Sequence, residues 1–331
     1  MAKNKTRARP AAKSAPKSAP KSAKTSGSAV EIFEVGPRDG LQNEKKILTT
    51  EQKITFVRGL AHAGVKNIEM GAFVRPDKIP QMADTDVLYQ KIQSGELDLE
   101  GAKAWSLIPN RKGLERALKV GVTHFAIFTA ATDSFAKANI GMTVDASFDE
   151  FKEVIAILKK ERGRKNVKIR GYISTAFGCP FEGKVPAKKA LKVLERFMDL
   201  GVDQISVGDT IGVGTPLEVD AIVKPAFKML GAKKLALHFH DTRGTALANA
   251  LRAYELGARI FDSSAGGLGG CPYAPGATGN LATEDLLYMF NGMGVKHGID
   301  LEQICMLSMD LCAKMGRPIS SRYLASFAAK C

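Results

Sequence analysis

From residue 31 to about residue 291, eight short apolar runs alternate with eight helix-like stretches, and this alternation constrains the chain more than any other feature. Strands are expected at 31–36, 66–71, 103–108, 123–129, 167–173, 204–208, 235–240 and 259–264. Helices are expected at 50–63, 84–94, 111–120, 147–161, 187–200, 216–230, 244–256 and 281–291. The helical stretches carry apolar residues three and four apart, as in Val154, Ile155 and Leu158, or Leu191, Leu194 and Met198. That spacing is one face of a 3.6-residue turn. The phrases Ala-Gly-Val-Lys (63–66), Val-Gly-Val-Thr (120–123), Leu-Gly-Val-Asp (200–203) and Leu-Gly-Ala-Arg (256–259) recur where helices should end. In each, the glycine offers the left-handed conformation that stops a helix before the next strand. Eight such units predict a closed (β/α)8 barrel of the TIM type, with its chemistry at the C-terminal ends of the strands. A doubly wound open sheet is the alternative, but no G-x-G-x-x-G follows the first strand to support it. Two further helices, 300–316 and 319–329, are expected after the barrel.

Residues 1–29 stand apart. Positions 11–24 read AAKSAPKSAPKSAK, with little to bury and prolines that break helices. A disordered tail is expected, followed by a catalytic domain over 30–331. Residues 1–28 hold six Lys, two Arg and no acid, so +8 of the net charge of +14 sits there. A solvated basic tail, contact with nucleic acid or an anionic surface, and a mitochondrial transit peptide are the three readings. The five cysteines are scattered, with no C-x-x-C pair, which suits a reducing, cytoplasmic setting, or the mitochondrial matrix if the tail is a transit peptide. No apolar run approaches the roughly 18 residues of a membrane span.

The first strand ends in Glu34-Val-Gly-Pro-Arg-Asp-Gly-Leu-Gln-Asn-Glu44. Gly36 and Pro37 break the strand, and Arg38 and Asp39 follow at once. A surface ion pair is one reading; a carboxylate for a metal beside a cation for a developing oxyanion is the other. The seventh strand ends in His238-Phe-His240-Asp241, and residues two apart on a strand face the same way. After the eighth strand comes a glycine-rich loop carrying Cys271 and then Asn280, whose competing role is a helix N-cap. Closing the barrel makes strands seven, eight and one neighbours, so Asp39, His238, His240 and Asn280 converge on one sector of the rim. Two nitrogens and two oxygens suit Mg²⁺ or Mn²⁺, with Zn²⁺ and Co²⁺ left open. Glu69 ends strand two, and an inward carboxylate there needs a partner such as Arg38. Glu34 in strand one and Asp209 after strand six are further polar positions on the barrel strands.

The motifs Gly-Pro-Arg-Asp-Gly-Leu-Gln-Asn-Glu, Gly-Asp-Thr-Ile-Gly-Val-Gly-Thr-Pro, His-x-His-Asp-Thr and Gly-Gly-Cys-Pro-Tyr-Ala-x-Gly-Ala-x-Gly-Asn-Leu-Ala-Thr-Glu-Asp resemble those of the 3-hydroxy-3-methylglutaryl-CoA lyases. The resemblance covers about residues 31–320. It implies a metal-dependent (β/α)8 barrel that splits hydroxymethylglutaryl-CoA, an acyl-CoA, into acetyl-CoA and acetoacetate, as in leucine catabolism. By the same likeness Asp39, His238, His240 and Asn280 match metal ligands, Arg38 the catalytic arginine and Cys271 the loop cysteine. Glu69 and Glu284 match positions implicated in activity. A homo-oligomer is also expected. Departures fall at Phe239, where the family has Cys, at Arg243 and Thr245 after His-Asp-Thr, and at 70–77 after Glu69. Two readings of Arg243 are open: a cation pairing with Asp241, a substrate carboxylate or a CoA phosphate, or a solvent-facing residue in the first turn of a helix. The alternatives are a related barrel acting on another 3-hydroxyacyl-CoA, or in the condensing direction, and a non-catalytic barrel tethered by its tail.

Overall fold

The computed structural model describes residues 29–163, 166–270 and 279–330. Eight parallel strands close a barrel: β1 (Glu31–Glu34), β2 (Asn67–Ala72), β3 (Lys103–Leu107), β4 (His124–Ala130), β5 (Lys168–Ser174), β6 (Gln204–Asp209), β7 (Leu235–Phe239) and β8 (Ile260–Ser263). Closure comes from β8 lying beside β1, with Glu31 opposite Ile260 and Glu34 opposite Ser263. The open-sheet alternative is thereby excluded.

Helices α1 (Thr50–His62), α2 (Thr85–Gln93) and α3 (Arg111–Lys119) follow the first three strands. The fourth unit has two helices where one was expected, α4 (Asp133–Ile140) and α5 (Val144–Arg162). Gly141, at φ +73°, ends α4, and Thr143 starts α5 by accepting the Ala146 N–H at 3.1 Å. These two local signals lie within four residues of each other, inside the stretch expected to lead into a single helix. The remaining helices are α6 (Ala187–Leu200), α7 (Pro216–Leu230), α8 (Ala246–Glu255) and α9 (Thr283–Gly292), then the appended α10 (Leu301–Met315) and α11 (Arg322–Ala328). A small hairpin, Gly178–Cys179 with Gly183–Lys184, stands on the loop after β5 and was not anticipated.

The recurring glycines do stop helices. Gly64, Gly121, Gly201 and Gly257 all have φ between +75° and +105°. The C-terminal helices are docked by Asp285 of α9, which accepts hydrogen bonds from Ser321 Oγ (2.8 Å) and the Tyr323 N–H (2.7 Å). Among the described residues, no helix is long and apolar enough to cross a membrane. The tail at 1–28 and Cys271 lie outside the described residues.

The barrel interior is not purely aliphatic. Arg170 of β5 is fully buried, with its guanidinium 3.8 Å from the centre of the Phe33 ring and 4.9 Å from that of Tyr172. It pairs with Asp262 of β8 and donates to Gln204 of β6. A polar layer therefore crosses the barrel directly beneath its C-terminal mouth.

Candidate active site

After β1 the chain makes one wide turn, Gly36–Gly40, closed by the Gly40 N–H donating to Val35 O at 3.1 Å. Glycine is needed at both ends. A Cβ at Gly36 would sit 2.6 Å from Glu34 Oε1, and one at Gly40 would sit 2.7 Å from Ser264 Oγ. The turn thus seats against β8 and presents Arg38 and Asp39 at the barrel mouth. Arg38 Nε donates to Glu69 Oε2 (2.8 Å), and its Nη1 donates to Asp39 Oδ1 (2.7 Å). Tyr172 adds its own hydroxyl to Glu69 Oε2 at 3.1 Å. Burial disfavours the Arg38 charge, but Glu69 and Asp39 outweigh it and keep the guanidinium protonated.

His238 and His240 face the mouth, with their Nε2 atoms 3.1 Å apart. Strand alternation turns Phe239 the other way, where its ring packs 5.8 Å from that of Phe177. Asn280 reaches His240 through an antiparallel bridge, with the Leu281 N–H donating to Phe239 O (2.9 Å) and the Asp241 N–H to Gly279 O (3.1 Å). Its Nδ2 donates to Asp39 Oδ2 at 2.9 Å. Its Oδ1 is buried with no hydrogen-bond partner among the described residues. Asn280 does not cap α9, whose N-cap position is Ala282.

Asp39, His238 and His240 each offer a donor atom, and these atoms lie within 4.8 Å of one another. One carboxylate oxygen, two imidazole nitrogens and the unsatisfied amide oxygen of Asn280 form a donor set that fits a divalent cation. The electrostatics of the site are consistent with this. Burial pushes the Asp39 carboxyl up, but Arg38, His238, His240 and the Asn280 amide outweigh it and hold it at about 2. Burial, aided by His238, pushes His240 down to about 3, so its ring is neutral and able to ligate near pH 7.

Asp39, whose side chain is 24% exposed, lines the cavity together with Arg38, His238, His240, Gln42 and Asn43. The opposite wall is apolar: Leu107, Phe128, Phe135 and Ile173. Phe135 and Asn139 come from α4, the helix that was not anticipated. Glu69 lies behind Arg38.

Glu284 stands apart from the cavity. It is fully buried and accepts the Gly266 N–H at 2.8 Å, one residue from Ala265, whose N–H goes to Glu34 Oε1 at 2.9 Å. Glu34 also accepts from the Gly36 N–H (2.8 Å) and Thr283 Oγ1 (2.6 Å). These two carboxyls therefore fix the backbone at Gly36 and at Ala265–Gly266. Arg243 is exposed, in keeping with its solvent-facing reading and not with the pairing one. It donates to the carbonyls of Ile211 (2.9 Å) and Gly212 (3.1 Å), and among the described contacts it pairs with neither Asp241 nor the cavity. Asp209 holds the same β6 loop by accepting the N–H groups of Val213 (3.0 Å) and Gly214 (2.8 Å).

Sequence reading missed Tyr172, Arg170 and Asp262. The signal was available: Lys-Ile-Arg-Gly-Tyr and Ile-Phe-Asp-Ser place polar groups inside strands that should be buried on both faces.

Burial pushes Glu34 and Glu284 each up to about 7. A carboxyl raised above its unfolded value of about 4.5 is most favourable below that value, and the advantage is lost as pH rises through about 7. Glutamine mimics the neutral form at every pH. The Tm of Glu284→Gln relative to wild type is therefore expected to rise between about pH 5 and pH 8. The shift of two to three pH units is worth roughly 3 kcal/mol, or several degrees. A Tm difference that does not change with pH would refute the burial argument.

The HMGL-like family model matches residues 29–311. The hydroxymethylglutaryl-CoA lyase of Pseudomonas mevalonii is 42% identical over 302 residues, covering 91% of this chain and 98% of that one. The cytoplasmic 3-hydroxy-3-methylglutaryl-CoA lyase of Rattus norvegicus is also 42% identical, covering 91% and 86%. Among solved structures, the Bacillus subtilis HMG-CoA lyase superposes with a TM-score of 0.84 at 40% identity, over 91% of this chain and 98% of that one. By sequence, by fold and by kinship the chain belongs to the HMGL-like family and is an enzyme, a carbon–carbon lyase.

Proposed function

We propose that the chain cleaves 3-hydroxy-3-methylglutaryl-CoA to acetyl-CoA and acetoacetate, using a divalent cation held by Asp39, His238, His240 and Asn280. The observation that carries this reading is the meeting of Arg38, Asp39 and the two histidines at one cavity mouth, in a chain 42% identical to a lyase named for that substrate. Bound there, Mg²⁺ or Mn²⁺ would supply a Lewis acid that makes the substrate's C3 hydroxyl easier to deprotonate.

The chain's own groups account for the remaining steps. Asp39 takes the C3 hydroxyl proton; His238, the other candidate base, has one ring nitrogen turned to the cation position and the other to Asp262. The C2–C3 bond breaks, the C3 oxygen becomes the ketone of acetoacetate, and the bonding pair passes into the enolate of acetyl-CoA. Arg38, held by Glu69, donates hydrogen bonds to the enolate oxygen as charge develops. Cys271, assigned from sequence, gives its thiol proton to C2. The apolar wall of Leu107, Phe128, Phe135 and Ile173 receives the carbon skeleton and limits water near the enolate.

The departures at Phe239 and Arg243 bear on which 3-hydroxyacyl-CoA is the substrate. Neither side chain lines the cavity, which weakens the alternative of another 3-hydroxyacyl-CoA.

The test is product analysis. Purified chain given hydroxymethylglutaryl-CoA and Mg²⁺ is expected to yield equimolar acetyl-CoA and acetoacetate by mass spectrometry. Chelation should abolish turnover, and Mg²⁺ or Mn²⁺ should restore it. Full turnover after chelator stripping would remove the metal from the mechanism. No product from metal-replete protein would overturn the substrate.

A further inference from the structure

We propose that Asp262 is a positioning residue for His238: it receives the Nδ1–H of the imidazole and so leaves the Nε2 lone pair directed at Asp39 and His240. This rests on the metal reading above and adds a residue and a device to it. Asp262 Oδ2 lies 3.3 Å from His238 Nδ1, within ion-pair distance though not aligned as a hydrogen bond in this structure, and that buried nitrogen has no hydrogen-bond partner among the described residues. The carboxylate is itself immobilised. Ser206 Oγ donates to Oδ2 at 2.8 Å, and Arg170 holds Oδ1.

Arg170 is fixed in turn, with its guanidinium between the Phe33 and Tyr172 rings and a further hydrogen bond to Gln204. Neither side chain of the Arg170–Asp262 pair is exposed. The carboxylate facing His238 is therefore held in place away from water.

The device also joins the two halves of the site. Tyr172 packs against Arg170 on one side and donates to Glu69 on the other, and Glu69 holds Arg38. One polar layer supported by β2, β5, β6 and β8 thus sets both the arginine and the histidine. Carboxylates that orient a ligating imidazole typically change metal affinity ten- to a hundredfold when removed.

The test uses the full-length chain and Mn²⁺ as the probe, with free Mn²⁺ read by electron paramagnetic resonance. In Asp262→Asn the amide NH₂ faces His238 Nδ1 and favours the Nε2–H tautomer, which blocks the donor atom. Mn²⁺ affinity is expected to fall about ten- to a hundredfold. In the metal-free protein, ¹H–¹⁵N correlation of the ring should shift from the Nδ1–H to the Nε2–H tautomer.

Asp262→Asn also leaves Arg170 unpaired, so the Arg170→Gln/Asp262→Asn double variant removes both buried charges at once. If Asp262 served only to neutralise Arg170, the double variant would bind Mn²⁺ as the wild type does, and the proposal would be overturned. The expected result is that it stays at least about tenfold weaker. An unchanged His238 tautomer in either folded variant would also overturn it. If the wild type takes up no Mn²⁺, the metal reading fails instead, and the tautomer still decides the role of Asp262.

Discussion

Replacing Arg38 by glutamine is expected to lower kcat about 10²–10³-fold, the usual cost of removing a donor aimed at a developing oxyanion. KM for hydroxymethylglutaryl-CoA should change far less, because charge on the enolate oxygen exists only as the C2–C3 bond breaks. Mn²⁺ uptake should stay near wild type, since an arginine offers no lone pair to a cation. Glutamine can still donate to Glu69, so the variant should fold. Steady-state kinetics together with Mn²⁺ titration make the check. A kcat within tenfold of wild type would remove Arg38 from the chemistry. A parallel loss of Mn²⁺ binding would mean that Arg38 acts by shaping the Asp39 carboxylate, which it contacts at 2.7 Å.

The second large effect is on stability. Arg170→Met should destabilise the barrel by about 3–5 kcal/mol, because it leaves the buried Asp262 carboxylate without its cation. In a chain of this size that is on the order of 10 °C in Tm. The methionine keeps part of the packing between Phe33 and Tyr172, so the loss reports mainly on the ion pair. Thermal unfolding at neutral pH measures it. A Tm within about 2 °C of wild type would mean that the pair contributes little and that the surrounding rings hold the layer.

Much of the architecture could be read directly. Every expected strand is present to within two residues, because each is bounded by a local signal: a glycine at positive φ before it or a polar cluster after it. The His238–His240 relation was equally local, since two residues apart on a strand face one way whatever the rest of the chain does. Helix α4 was missed because an eight-residue helix directly before a longer one gives little periodicity of its own. It mattered, because it supplies Phe135 and Asn139 to the cavity wall.

What the sequence determined alone was therefore whatever depends on short range: strand alternation, helix stops, and the side chains carried at strand ends. Only the tertiary structure decided how those side chains meet. Asp39 and Asn280 are 241 positions apart, and their hydrogen bond exists because β8 closes against β1 and a bridge to His240 carries Asn280 inward. The same closure placed the Asn280 amide beside Asp39, its oxygen without a hydrogen-bond partner among the described residues, in place of a helix cap. It also put Glu284 under the backbone at Gly266, away from the cavity. The Arg170–Asp262–His238 layer was the least legible. Alternation says that a residue points into a barrel, but which residue it meets there depends on strand tilt and stagger. Those are properties of the closed sheet as a whole.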